Sequence, residues 1–435
     1  MAGAQTSGGR SAMGSLGRGV GRAWTSVCSL ARGAAKGGST PARLRAWMIS
    51  TAIVAVLFGV LTSIGVDRRA TSLRAADEAS QQLITVQDVQ VRLVRADAIA
   101  RENYLRGGIE DGEKRATYSS ELAAVSDGLV SVGNRVLPNE AGTLARVSSK
   151  LSRYSGLVEQ ARANNRQGFP VGAAYLRSAN ALSAEMVADL QSVQASLRQQ
   201  VNDNLDRADK AGAWLHLTGW PLLLMLVTGG AWVASRFRRT VNVPIALAGL
   251  VTLLTVVAGG TIQASAMSDA ESATAVPLQA ADLSAQARSA AFAAQAQEFS
   301  TLIARGSGAE DSAWQTSTAT AELALDRVCA IRNYCGLQDY LAQYVRAHEA
   351  LRESDNAGDW DAARETSLRG DAATSFAAFD NQITSTAATL GDDAAAAMSS
   401  AADGLTALRV LAFLAGLAVA ALVVAGYSQR LREYR

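Results

Sequence analysis

The chain has 435 residues, of which 49% are hydrophobic and 18% charged, and its formal net charge is only +2. Ala-rich stretches, 6 prolines and few β-branched runs outside the apolar segments point to an all-α protein with little sheet. The chain has no Walker motif, dinucleotide fingerprint, kinase motif set or nucleophile elbow, which argues against an enzyme, and nothing points to nucleic acid.

Residues 1–46 are rich in Gly, Ser and Ala and carry Arg10, Arg18, Arg22, Arg32, Lys36, Arg43 and Arg45 without one acid. Such an arm is expected to be disordered and to lie on anionic lipid or dock an acidic cytoplasmic partner. Four apolar segments follow, at 47–66, 213–235, 243–263 and 409–427. Each is about 20 residues long, enough to cross a bilayer core of roughly 30 Å. The first lacks a small-residue cleavage pattern and reads as a retained signal anchor. Arg43 and Arg45 precede it, Arg236, Arg238 and Arg239 fill the 236–242 loop, and Arg430, Arg432 and Arg435 end the chain. Short basic flanks mark the cytoplasmic side, so both termini are expected inside a cell membrane and both long intervals outside. These arginines are the expected cytoplasmic contacts, with the bilayer itself and with a partner. Cys28, in the arm, should be a free thiol.

The interval 67–212 divides at its turn signals. Val86, Val89, Leu93, Ala96, Ala100 and Tyr104 form one helical stripe, stopped by Arg106-Gly107-Gly108. Leu137-Pro138-Asn139 and the stretch from Asn165 to Pro170 give the next turns. The result is an up-down-up-down four-helix bundle whose first and fourth helices run on into the membrane. The interval 264–408 repeats the plan, so two tandem extracytoplasmic bundles are expected. Arg305 stands 199 residues after Arg106, Cys329 and Cys335 mark the second turn, and Asp359-Trp360-Asp361 opens the last helix with acids at its positive end. A disulfide between Cys329 and Cys335 requires the chain to bend, since one helix would hold them about 9 Å apart. Pro277 should kink its helix. The intervals differ in charge: 19 basic and 18 acidic side chains in the first, 8 and 20 in the second.

Metal and catalytic sites are not expected. His216 reads as an interfacial residue beside Trp214 and Trp220, and His348 as bundle surface or core edge. The spans hold no buried carboxylate or lysine of the kind transporters need. Their glycines form no clear small-xxx-small pair, so plain packing is expected. The most distinctive stretch is 154–176, rich in Asn, Arg and Gln. Arg162, Asn164, Asn165, Arg166 and Gln167 should meet Arg106, Gly107 and Gly108 at the membrane-distal tip of the first bundle. Such a tip suits a carboxylate or a partner protein's polar rim, or else merely caps helix ends.

At Val94-Arg95-Ala96-Asp97-Ala98, Tyr104-Leu105-Arg106-Gly107-Gly108 and the stretch from Ala161 to Tyr175, the chain resembles the actinobacterial GlnX family of four-span membrane proteins. The outer intervals are also similar to the four-helix-bundle ligand domains of chemoreceptors. The resemblance implies a relay: an extracytoplasmic amino-acid-binding protein docks outside, and the signal reaches a cytoplasmic kinase, protein kinase G in that family. The second interval lacks the Asn-Asn-Arg-Gln stretch. The expected function is thus a non-enzymatic transmembrane sensor without cofactor. The alternative is a structural scaffold for envelope or division proteins. The oligomeric state stays open, a homodimer included.

Overall fold

A computed structural model describes residues 40–108, 111–136, 138–237, 242–305 and 309–432. The arm before residue 40, with Cys28, lies outside the described residues, as do Arg238, Arg239 and Arg435 and the turn at 306–308. Among the described residues the fold is almost wholly helical, with no strand. Its helices are α1 (Thr40–Arg106), α2 (Gly112–Gly133), α3 (Pro138–Arg166), α4 (Val171–Phe237) and α5 (Val243–Ala273). A π-helical segment (Thr274–Leu278) then leads into α6 (Gln279–Ala304), α7 (Ala309–Arg332), α8 (Gly336–Asn356), α9 (Trp360–Leu368), α10 (Asp371–Ser400) and α11 (Asp403–Arg432). Four stretches are long and apolar enough to cross a membrane.

The chain forms two compact units. One gathers 40–72, 207–267 and 402–432, and its core includes Phe58, Leu222, Val256 and Val423. Here α1 and α11 approach backbone to backbone: a Cβ on Gly416 would fall 2.5 Å from the Cα of Gly59. The crossing is made by small residues four apart, Ala55 and Gly59 on α1 against Ala412 and Gly416 on α11, so the expectation of plain packing without a small-xxx-small pair is corrected: alanine supplies the second small position that a search for glycine pairs passes over. Arg69 is buried in the same unit and donates to Gln263 Oε1 at 3.3 Å. Its guanidinium crosses Gly212, where a Cβ would meet it.

The other unit holds 73–206 and 268–401. One core draws Leu93 from α1, Val125 from α2, Tyr154 from α3 and Met186 from α4. The second draws Phe292 from α6, Leu325 from α7, Tyr344 from α8 and Phe379 from α10. Val91, Val94 and Ala98 of α1 also belong to this second core.

The two halves of the chain differ in continuity. α1 and α4 are single helices of 67 residues each, about 100 Å at 1.5 Å per residue. In the second half, Pro277 lies in the π-helical segment, where an enlarged turn absorbs its ring and missing N–H. The fourth helix was expected to run unbroken into its span. It is instead divided at Arg369-Gly370 and again at Ala401-Ala402. At the first break Gly370 folds against its own chain, and a Cβ there would lie 2.7 Å from Thr366 Cα.

Candidate functional site

The tip is built from helix endings. Gly107 and Gly108 adopt φ of +67° and +65°, a left-handed conformation open to glycine, and end α1. α3 ends at Arg166, and Gly168 just beyond it adopts φ +72°. The Gly168 and Phe169 N–H groups donate to the carbonyls of Asn165 (3.0 Å) and Asn164 (2.9 Å). This is a Schellman closure. Asn165 Nδ2 donates to the carbonyl of Tyr104 at 2.8 Å, so the two corners do meet. Asn164 Nδ2 donates back to Gln160 O at 2.8 Å. Arg162 is buried and ion-paired with Glu159 at 2.6 Å, and desolvation, then Arg166, lowers its pKa. Arg106 pairs with Glu102 at 2.7 Å. Of the polar residues singled out in the sequence, Asn165 therefore joins the two corners, while Arg162 and Asn164 bond back within α3. Gly108, Arg166 and Gln167 remain exposed, joined by Phe169, 52% exposed.

The second half reaches this tip. Arg364 of α9 donates through Nε to Leu105 O at 3.0 Å and through Nη2 to Arg106 O, closing the last carbonyls of α1. In α9 the side chain of Asp359 accepts from the Ala362 N–H at 3.1 Å. Trp360 Nε1 donates to Leu302 O at 2.9 Å near the end of α6. At the opposite corner Cys329 and Cys335 are disulfide-bonded, Cα atoms 4.5 Å apart. Asn333, at φ +60°, supplies the bend between α7 and α8.

Between the halves lies an open groove of about 910 Å³, walled by α1, α4, α6 and α7. This is within the size range of small-molecule sites. Its lining mixes small apolar residues such as Ala184, Ala290 and Ala293 with amides, hydroxyls and three arginines. Asp97 and Arg101, both buried, form an ion pair at 2.6 Å. Tyr154 donates to the other Asp97 oxygen at 3.1 Å. Burial, reinforced by Asp97, holds the Tyr154 hydroxyl well above its ordinary pKa. Arg101 also donates to Ala296 O at 3.1 Å and Ser300 Oγ at 2.7 Å.

The second half hides a separate polar cluster. Glu298 and His348 are 2% and 3% exposed, so His348 is core rather than surface or core edge. His348 Nδ1 lies 2.9 Å from Glu298, and its ring stacks 3.7 Å from that of Trp314. Tyr344 and Ser367 donate to the same carboxylate at 3.1 and 2.6 Å. Three side chains thus bond one buried carboxyl group, which offsets the cost of burying it. Among the described residues no His, Cys, Asp and Glu group is placed to hold a metal ion.

Residues 72–206 match the family model of an actinobacterial sensor domain. No curated protein and no solved structure matches the chain. The matched stretch begins and ends inside the two unbroken helices α1 and α4. A sensing role therefore attaches to the first half.

Proposed function

We propose that the chain is a non-enzymatic transmembrane sensor, built from two tandem extracytoplasmic four-helix bundles, that relays an external binding event to a cytoplasmic partner such as a protein kinase. The supporting observation is the sensor-domain match on a domain whose first and last helices each continue as an apolar span. A small axial or rotational shift of α1 against α4 is the proposed signal, a helix-shift transition. Both termini are read as cytoplasmic, with Arg43 and Arg45 at the start of α1 and Arg236 in the last turn of α4 as contacts on that side. The docking surface for an external solute-binding protein is the exposed part of the tip: Gly108, Arg166, Gln167 and Phe169.

The experiment is affinity purification of the intact protein from native membranes. It compares wild type with a variant carrying Arg166→Ala, Gln167→Ala and Phe169→Ser, which spares Asn165 and its bond to the α1 corner. An extracytoplasmic binding protein captured by wild type alone supports the reading. Identical partners in both, dominated by envelope proteins, would favour a scaffold instead. Deleting 1–40 tests the inner end: normal insertion with unchanged signalling would remove the arm from the mechanism.

A further inference from the structure

The seam between the halves has an internal symmetry. Gln90 Nε2 donates to Ser289 Oγ at 3.0 Å, and Arg101 Nη1 to Ser300 Oγ at 2.7 Å. Both contacts join residues 199 apart, the offset that also relates Arg106 and Arg305 at the ends of α1 and α6. Each position therefore touches its own counterpart. The first helices of the halves run parallel and in register about an approximate two-fold axis, as in an isologous dimer. Such an axis produces grooves in pairs. The open groove, walled by α1, α4, α6 and α7, must have a mate walled by α6, α10, α1 and α2. The fourth helices match at an offset of 197: buried Ala179, Leu182, Met186 and Val193 correspond to buried Phe376, Phe379, Ile383 and Leu390. By the same offset, Ser183 in the open groove corresponds to Asp380.

The mate is filled by the chain itself. Asp380 receives Arg288 at 3.1 Å and Arg95 at 3.6 Å. Arg95 reaches Glu121 as well, at 3.4 Å, and both guanidinium groups sit over the ring of Phe292. The counterparts of Arg95 and Arg288 are Ala294 and Val89, so the open groove lacks this plug. It holds uncommitted groups instead. Arg177 makes no ion pair among the described residues, and Arg101 Nε and Asn180 Oδ1 are buried without a hydrogen-bond partner. Its one carboxylate, Asp97, is already engaged by Arg101 and Tyr154.

We propose that the open groove is a single small-molecule site per chain for a small organic anion, a carboxylate or a phosphate ester, and that its mate is kept closed by the carboxylate of Asp380. The anion meets Arg177, and its polar remainder meets Asn180, Gln297 and Thr320, which line the same groove. This deepens the sensor reading and rests on it.

The test is calorimetric titration of the full chain in lipid nanodiscs with succinate, glucose 6-phosphate, inorganic phosphate and, as an uncharged control, glucose. Saturation by an anionic probe at one site per chain, with no response to glucose, is the expected result. The succinate and phosphate arms tell the two anion sources apart. Arg177→Ala should weaken that binding about tenfold or more. Ser183→Asp, which sets a carboxylate at the position of Asp380 in the open groove but without its two arginines, should abolish it by repelling the anion. Asp380→Asn should raise the stoichiometry toward two. No saturation by any anion, saturation indifferent to both Arg177→Ala and Ser183→Asp, or two sites in wild type would each overturn the proposal. A stoichiometry that stays at one in folded Asp380→Asn would overturn the plug. If titration fails while wild type still captures its external partner, the groove is wrong and the sensor reading stands. Binding without partner capture reports the reverse.

Discussion

The two halves of the unit formed by 73–206 and 268–401 share a helix plan and differ in how it is finished. The first is nearly neutral, with 19 basic and 18 acidic side chains over 67–212, and its first and last helices are unbroken. Its groove is open. The second carries 8 basic and 20 acidic side chains over 264–408, and π-helical and turn segments interrupt the way to its spans. Its corner is tied by Cys329–Cys335, and its groove is closed by Asp380. A continuous helix passes on a displacement, whereas a π-segment or a turn can absorb it. Under the proposed reading, the difference makes the first half the responsive copy and the second a fixed frame.

The harshest way to break that frame is Glu298→Ala. It strands Tyr344, His348 and Ser367 without their shared acceptor. A loss of about 3–5 kcal/mol is expected, read by denaturant unfolding of the purified chain. Exchange protection should be lost in α6–α9 before α2 and α3. Next comes the disulfide. Cys335→Ser removes a short loop closure worth about 2 kcal/mol on the chain-entropy model. Reducing agent should lower the melting temperature of wild type and leave that of the variant unchanged. Arg364→Ala comes third. It takes two hydrogen bonds from the end of α1 and should cost about 1–3 kcal/mol, visible as faster amide exchange over 103–106.

The smallest effect is one of pH, and the halves should share it. Burial, together with Asp97 for Tyr154 and Glu298 for Tyr344, holds both hydroxyls well above the ordinary tyrosine value of 10.0. A raised pKa in the folded state means the contribution is complete below pH 10 and is lost as pH rises through the folded-state value. Melting temperature should therefore fall above pH 10, and Tyr154→Phe or Tyr344→Phe should flatten the decline.

Local signals were legible in the sequence. The Arg106-Gly107-Gly108 stop and the Asn165–Pro170 turn lie where helices end, because a left-handed glycine or a proline acts on its own neighbours. The meeting of Asn165 with the α1 corner followed from helix lengths alone. What escaped was set by distant partners. Arg364 serves carbonyls more than 250 residues away. His348, expected near the surface, is buried because Glu298 of α6 and Trp314 of α7 converge on it beside Tyr344 of its own helix. The richness of the stretch 154–176 read as a recognition surface or as helix capping, and within it Asn165 caps the α1 corner while Arg166 and Gln167 stay exposed. Aligning the halves at offsets of 197 and 199 would have set Asp380 against Ser183 and Arg95 against Ala294. That contrast was the available signal for the grooves.

The most direct measurement is hydrogen–deuterium exchange of the intact chain in nanodiscs, comparing 176–191 of α4 with its counterpart 373–388 of α10. Both segments wall equivalent grooves, one open and one filled, so the comparison isolates the plug. Faster exchange over 176–191 is the expected result for a responsive first half against a fixed second. Equal exchange, or slower exchange over 176–191, would contradict it.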